Sequence, residues 1–423
     1  MKPILLGCIA DDFTGATDLA NNLVRAGMRT LQTIGTPETS NVAQVDAVVI
    51  SLKTRTIPVD EAIEQALSAL AWLKASGAQQ IYFKYCSTFD STANGNIGPV
   101  AEALMKALGT DFTIATPAFP ENKRFVFQGH LFLGDQLLNE SGMQNHPLTP
   151  MHDSNLVRVL QSQSKSPIGL IDYHCVNEGS QSIEAKFHDL RLSSVGIAIV
   201  DAISNRDLFE IGRACKSLPL VTGASGIAIG LPQNFSLSEA GKAELLPAAT
   251  GFQAILSGSC SQASNEQVAT FIKAGLPAYQ INPLQLAKNS ETIQHAIDWA
   301  IEHIQQGPAL IYSTADPDAV KAIQNQLGIS EAGNLIENAL AAIAQGLVAA
   351  GVRQLIVAGG EVSGACVQAL GIKQLQIGSQ IDPGVPWCYA NSEIIDNQGI
   401  HLALKSGNFG TPDFCLKSFR MLK

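Results

Sequence analysis

An α/β fold in two domains, each a mainly parallel sheet flanked by helices, is what three features of this 423-residue sequence predict. Short apolar runs alternate with segments of helical period, the pattern of parallel strands joined by crossover helices. Two periodic segments stop at a glycine, Gly27 and Gly77, the residue type that most readily turns left-handed just past a helix end. The length also exceeds the roughly 250–300 residues beyond which one hydrophobic core gives way to two.

The apolar run Pro3 to Ala10 reads as a strand, Ile4 to Ile9, and not as a secretory leader, because it is short and meets Asp11 and Asp12 where cleavage would need small residues. A helix is expected from Gly15 to Ala26 and another from Val59 to Ser76. Further strands are expected at Ala47 to Ser51, Gln80 to Lys84, Phe112 to Thr116, Ile168 to Asp172, Gly196 to Asp201 and Leu218 to Thr222, with a hairpin from Phe125 to Leu133. Between Gly230 and Gly251 the alternation lapses into a Pro-, Asn- and Ser-containing stretch, which sets the domain boundary and gives domains 1–235 and 236–423. The second domain restarts with a strand at Phe252 to Leu256 and a helix from Ser261 to Ala274. Strands at Ala309 to Tyr312, Gln354 to Val357 and His401 to Lys405 follow, with a long helix from Ala332 to Ala350.

Composition narrows the function classes. A formal net charge of -10 disfavours nucleic acid and anionic membrane surfaces as partners, since both are held by an excess of exposed Lys and Arg. The most apolar stretch, Leu340 to Ala350, is interrupted by Gln345 and runs into Gly351 and Arg353, so no membrane-spanning segment is expected. The 8 cysteines are scattered, with no CxxC pair and no zinc spacing, and free thiols in a reducing cytoplasm are expected. Self-association into a homo-oligomer is left open.

In open α/β sheets ligands bind beyond the carboxyl ends of strands, so the loops there are the places to look for chemistry. The first such loop, Asp11-Asp12-Phe13-Thr14-Gly15-Ala16-Thr17-Asp18, places two adjacent carboxylates before a helix. They suit a Mg²⁺ ion or the acceptance of a proton from a sugar hydroxyl; the alternative is that Asp12 or Thr14 simply caps the helix. Two more loops supply positive charge and hydroxyls: Ser51-Leu52-Lys53-Thr54-Arg55, and the stretch Lys84 to Asn96 that contains Ser87 and Asp90. Arg grips a carboxylate at two points, Lys binds as a point charge, and Ser, Thr and Asn suit the hydroxyls of a short polyol, so the set fits a hydroxy-acid. A lone histidine, His130, falls in the expected hairpin and reads as a packed side chain.

The second domain carries loops built for phosphate. Ser257-Gly258-Ser259-Cys260-Ser261 follows a strand and opens a helix, and Gly359-Gly360-Glu361-Val362-Ser363 repeats the arrangement. A third loop, Lys405 to Gly410 with Gly407 inside it, follows another strand. Neither a GxxxxGK[ST] P-loop nor a GxGxxG fingerprint is present, so neither a Walker-type ATPase nor a conventional Rossmann dehydrogenase is supported, and a dehydrogenase stands as a distant third reading that NAD binding would discriminate.

These motifs carry a resemblance. The run Asp11 to Asp18 resembles the hallmark of the four-carbon acid sugar kinase family, and Tyr82 to Thr92 with Gly95-Asn96-Ile97-Gly98-Pro99 is similar to its 3-oxo-tetronate branch. The resemblance covers essentially the whole chain. It implies an acid-sugar-binding N-terminal domain, a nucleotide-binding C-terminal domain, and ATP contacts at Ser257, at the 359–363 loop and at Gly407. It also implies ATP-dependent phosphorylation of the 4-hydroxyl of 3-dehydro-erythronate stereoisomers. One departure stands out: Asn94 occupies the place before the Gly-Asn pair where many members carry Arg. On this reading ATP and Mg²⁺ are held by the C-terminal loops, Asp12 is the general base and Asp11 a metal-binding or orienting residue, with those two roles exchangeable. Lys53 and Arg55 clamp the carboxylate, while Lys84, Ser87 and Asp90 read the hydroxyl and keto pattern. The alternatives are a threonate or erythronate kinase of the same family and a sugar-acid sensor without catalysis.

Overall fold

Parallel strands covered by helices on both faces must be apolar throughout, and the strands of the N-terminal half meet that demand. The structure, a computed structural model, describes residues 4–38, 45–89, 92–146, 149–235, 237, 245–289, 291–315, 322 and 325–422. It divides into two units, Met1–Glu244 and Leu245–Lys423.

In the first unit the strands are β1 (Leu6–Ala10), β2 (Thr30–Ile34), β3 (Ala47–Ser51), β4 (Gln80–Lys84), β5 (Thr113–Thr116), β9 (Ile168–Ile171), β10 (Ile197–Val200) and β11 (Leu220–Gly223). They lie in the order β2-β3-β1-β4-β11-β5-β10-β9, every neighbouring pair parallel. All five residues of β1, of β3 and of β4 are buried. The register pairs Ala10 with both Ser51 and Lys84, so these three strands end flush and their following loops share one edge. That alignment brings Asp11, Asp12, Arg55 and Lys84 into reach of one another.

The helices Phe13–Arg25 and Val59–Ala75 lie where the periodicity places them, closed by Gly27 at φ 94° and Gly77 at φ 81°. A small antiparallel sheet of β6 (Arg124–Phe127), β7 (His130–Leu133) and β8 (Gln136–Leu137) contains the expected hairpin. Its two-residue turn has both central residues at positive φ, Gln128 at 50° and Gly129 at 71°, and Asp201 accepts from both of their N–H groups. The His130 ring, only partly buried, is engaged with Gln128 O at 2.8 Å.

Strand β2 was not anticipated from the sequence, and its polar composition is the reason. Gln32 and Thr33 are buried, with the Gln32 amide donating to Phe13 O at 3.2 Å and accepting from Thr17 Oγ1 at 2.9 Å. Satisfied polar side chains are tolerated inside a sheet but erase the apolar run that announces a strand.

The second unit orders its strands β13-β14-β12-β15-β18-β17-β16. They are β12 (Phe252–Ser257), β13 (Ala278–Gln280), β14 (Ala309–Tyr312), β15 (Val352–Ala358), β16 (Gln374–Asp382), β17 (Val385–Ser392) and β18 (Gln398–Lys405). β13, β14, β12, β15 and β18 are parallel, whereas β17 runs antiparallel to both β18 and β16. The mainly parallel two-domain α/β class therefore holds, with an antiparallel meander that the search for apolar runs missed. β16 alternates exposed Gln374 and Gln376 with buried Leu375 and Ile377, the pattern of a half-covered antiparallel strand. The core of this unit gathers Ile255, Phe271, Leu310, Ile356, Trp387 and Phe414. Ser257 is in register with Tyr312 and with Ala358, and Ala358 with Lys405, so the loops after these strands again share one edge. Among the described residues no helix is long and apolar enough to cross a membrane.

Candidate active site

In the first unit, the edge formed by β1, β3 and β4 assembles a cluster of opposite charges. Arg55 Nε and Nη2 donate to Asp11 Oδ2 and Oδ1, each at 2.8 Å, and Nη2 also reaches Asp12 Oδ1 at 2.5 Å. Lys84 Nζ stands 3.3 Å from the same Asp12 oxygen. The other oxygen of Asp12 accepts from Thr14 Oγ1 at 2.7 Å and from Gly15 N at 3.1 Å, making Asp12 the N-cap of the helix Phe13–Arg25. Capping and charge pairing are therefore not alternatives: one carboxylate does both with different oxygens. Burial alone would push the Asp12 carboxyl up, but Arg55, Lys84 and its two hydrogen-bond donors hold it well below the usual carboxylate range. For Asp11 burial prevails over Arg55 and the net direction is upward.

Glycine is required at position 15. A Cβ there would lie 1.7 Å from Lys84 Nζ and 2.2 Å from Asp12 Oδ1, so the lysine passes directly over the glycine to reach the aspartate. Asn96 fixes the Arg55 loop from below, its Nδ2 donating to Thr54 O at 2.8 Å, Ile57 O at 3.0 Å and Arg55 O at 3.4 Å. The loop after β4 is pinned by buried Phe89, which sits at φ 52° with its ring edge-on to Tyr85.

In the second unit a cavity of about 290 Å³ opens between the loops after β12, β14 and β15. Gly258, Ser259, Gly359 and Gly360 form one wall, Pro283, Ala332 and Ile336 an apolar one, and Glu337 and Glu361 bring carboxylates. Gly359 takes φ 126°, a conformation closed to side-chain-bearing residues, and turns the chain into the helix Gly360–Ala369. Ser261 caps the helix Gln262–Lys273 by accepting from Ser264 N at 3.2 Å. Helix starts of this kind present unpaired N–H groups to an anion, while an apolar wall suits a nucleobase.

Two family models match the chain, a sugar-binding N-terminal domain over residues 6–231 and a nucleotide-binding C-terminal domain over residues 254–415. A Burkholderia multivorans protein named 3-oxo-tetronate kinase is 56% identical over 99% of this chain and 97% of its own. The chain belongs to the four-carbon acid sugar kinase family. A second family member, the 3-oxo-tetronate kinase of Haemophilus influenzae, is 46% identical over 97% of this chain and 98% of its own. Among solved structures, a Salmonella typhimurium LT2 protein described as a candidate tRNA synthase is 43% identical with a TM-score of 0.86, covering 99% of both chains. A Haemophilus influenzae structure, 45% identical, has a TM-score of 0.76 over 99% of this chain and 100% of its own.

Of the residues expected to serve the family's chemistry, Asp11, Asp12, Arg55 and Lys84 come together as described. Lys53 is exposed on the same loop as Arg55, and Ser87 is buried in the loop after β4. Asp90 lies outside the described residues. In the nucleotide unit Gly258, Ser259, Gly359, Gly360, Glu361 and Val362 line the cavity. Ser257 instead turns its hydroxyl to Thr314 Oγ1 at 2.6 Å, and Ser363 donates to Val357 O at 3.3 Å, both buried in the walls. Gly407 reaches the cradle through its carbonyl, which accepts from Ser261 Oγ at 2.5 Å.

A divalent cation does not fit the Asp11–Asp12 pair in this arrangement, because all four carboxylate oxygens already accept from cationic or N–H and O–H donors. Among the described residues no cluster of three or more His, Cys, Asp or Glu side chains could hold a metal. Glu337 and Glu361, facing the cavity, fit a Mg²⁺ that arrives on a nucleotide, since that ion commonly takes only one or two protein carboxylates plus phosphate oxygens.

Sequence reasoning did not single out Asp18 or Lys405. Asp18 is buried, accepts from Ser225 Oγ, and leaves its Oδ1 without a partner; burial pushes its carboxyl up to about 7 against the pull of Lys84. Its only local signal was its place at the end of the Asp11 to Asp18 run.

Proposed function

We propose that this chain is an ATP-dependent kinase that transfers the γ-phosphate to the 4-hydroxyl of a 3-oxo-tetronate, the first unit holding the acid and the second the nucleotide. The observation that carries this reading is likeness across both halves at once: 56% identity over 99% of the chain to a protein named for that reaction. The charge cluster and the glycine-walled cavity supply, one in each unit, the two binding chemistries the reaction needs.

Phosphoryl transfer asks mainly for positioning and charge neutralisation. Asp12 accepts a hydrogen bond from the attacking hydroxyl and takes its proton as transfer completes. Its depressed pKa makes it a weak base that is always ionised, which suits a loose transition state where the proton leaves late. Asp11 orients Arg55 rather than a metal. Lys53 and Lys84 offer positive charge to the acid, and Arg55 joins them by exchanging its bond to Asp12 for the substrate carboxylate. Glu337 and Glu361 would hold a Mg²⁺ carried in with the triphosphate, and that ion would supply neutralisation of phosphate charge. All eight cysteines are free thiols, which suits action in a reducing cytoplasm.

The test is incubation of the purified chain with Mg-ATP and a panel of four-carbon sugar acids, following ADP release and the mass of the product. Turnover with 3-oxo-tetronates and not with threonate or erythronate is expected. Turnover with the latter would keep the kinase and move its substrate; ATP binding without turnover on any acid would favour a sensor.

A further inference from the structure

At the end of β18, Lys405 is fully buried, and among the described residues no carboxylate pairs with it. Its Nζ meets only neutral oxygens: Ser264 Oγ at 3.2 Å and the carbonyls of Ser406 at 3.0 Å, Gly407 at 3.0 Å and Phe409 at 3.1 Å. Three carbonyls of one short loop thus converge on a single cation, as loops do around a bound metal ion. The same loop is tied to the first phosphate cradle, because Gly407 O also accepts from Ser261 Oγ at 2.5 Å and Ser264 Oγ at 3.1 Å. A Cβ on Gly407 would stand 2.4 Å from Ser259 Oγ, so the two loops are in close contact. The main chain of Lys405 braces the second cradle, its carbonyl accepting from Gly359 N at 2.8 Å. One residue therefore reaches the loops after β12, β15 and β18 together.

We propose that Lys405 is a positioning residue for the nucleotide: its buried ammonium holds loop 406–409 against the Ser259–Ser261 cradle in the conformation that binds ATP, without itself touching ATP. This rests on the kinase reading above. The ammonium presents three N–H donors to four oxygens. Once deprotonated it keeps two and turns a lone pair toward carbonyl oxygens, so charge-assisted bonds are lost and repulsion replaces them.

Burial pushes the Lys405 ammonium down to about 8, with Cys415 and Asp382 opposing the shift. Asp382 is already engaged by Lys417 Nζ at 2.5 Å and Thr411 N at 2.9 Å, and the Cys415 thiol is itself pushed up to about 11 and stays neutral. The helix Gln262–Lys273 brings only the neutral Ser264 and Gln267 to this loop. Because the folded value lies below the ordinary 10.5, this group's contribution to stability rises with pH between the two values. A loss of ATP affinity in that window is therefore not unfolding driven by Lys405.

The experiment is calorimetric titration of the full chain with Mg-ATP from about pH 7 to about pH 9.5, a range in which nucleotide phosphates are already fully ionised. Wild type is expected to hold a constant Kd up to about pH 8 and then to weaken about tenfold per pH unit, as loss of one required proton dictates. Lys405→Met, checked by its melting curve, is expected to bind ATP weakly at pH 7 and without that pH dependence. A wild-type Kd that is flat across the range overturns the proposal, as does Lys405→Met binding ATP as tightly as wild type. Binding without pH dependence leaves the kinase reading standing, whereas no ATP binding at any pH removes that reading and this proposal with it.

Discussion

Arg55 grips Asp11 with a two-point fork, Nε on Oδ2 and Nη2 on Oδ1, both at 2.8 Å, while Nη2 extends 2.5 Å to Asp12. Two neighbouring carboxylates, both largely screened from water, would repel each other without a shared cation. Arg55→Ala is expected to cost up to about 3–5 kcal/mol of stability, since it strands two buried charges. It should also raise KM for the acid while leaving KM for ATP nearly unchanged. Arg55→Lys should recover part of the melting temperature but little activity, because a point charge cannot close the fork. Equal losses of affinity for acid and ATP in steady-state kinetics would remove Arg55 from the acid site.

Gly15→Ala inverts the usual relation between helix propensity and function. Alanine favours the helix Phe13–Arg25 by about 1 kcal/mol over glycine. Its Cβ would nevertheless fall 1.7 Å from Lys84 Nζ and displace the lysine. The expected result is a melting temperature lowered despite the gain in propensity, because the buried Lys84–Asp12 pair is broken, with kcat lowered about a hundredfold, the scale of a roughly 1 Å misplacement. Unchanged kcat would show that Lys84 is not needed where it stands.

Asn96→Ala removes one amide that serves three carbonyls of the segment 54–57. Unpaired buried acceptors cost about 1–3 kcal/mol, and the loop bearing Arg55 should loosen. A raised KM for the acid with ATP binding intact is expected; calorimetry with each ligand separately would reveal the split, and parallel weakening of both would contradict it.

Asp18→Asn tests the buried carboxyl beside Ser225. With its pKa pushed to about 7 from an ordinary 3.8, Asp18 holds a proton in the folded state that the unfolded chain has already released. Its contribution to stability is full below the lower value and is lost as pH rises through the upper one. Wild type should therefore lose stability relative to Asp18→Asn between about pH 4 and about pH 7 in parallel chemical denaturation curves. Parallel pH dependences for the two proteins would mean that Asp18 ionises freely in the fold.

Much of the fold was legible because parallel, doubly covered strands announce themselves as apolar runs: β3, β4 and β14 begin and end where the sequence places them. β2 escaped because Gln32 and Thr33 are buried with partners, and β16 because its alternation marks a half-exposed strand rather than a run. The site was legible as loops but not as contacts. The spacing of residues does not disclose that Arg55, expected at the substrate carboxylate, also holds Asp11 and Asp12, or that the Ser257 hydroxyl bonds Thr314.

What the sequence determined by itself is the class of fold and the edges at which chemistry gathers, because strand period, helix stops and glycine turns are local properties of a few successive residues. What only the tertiary structure decided is which partner each polar group takes. Asp11 and Arg55 are brought together because β1 and β3 end in register, and Lys405 meets the Ser261 cradle because β12, β15 and β18 do the same. Strand register is a long-range outcome of packing, and burial then decides how strongly each pair holds, so neither can be read from the spacing of residues along the chain.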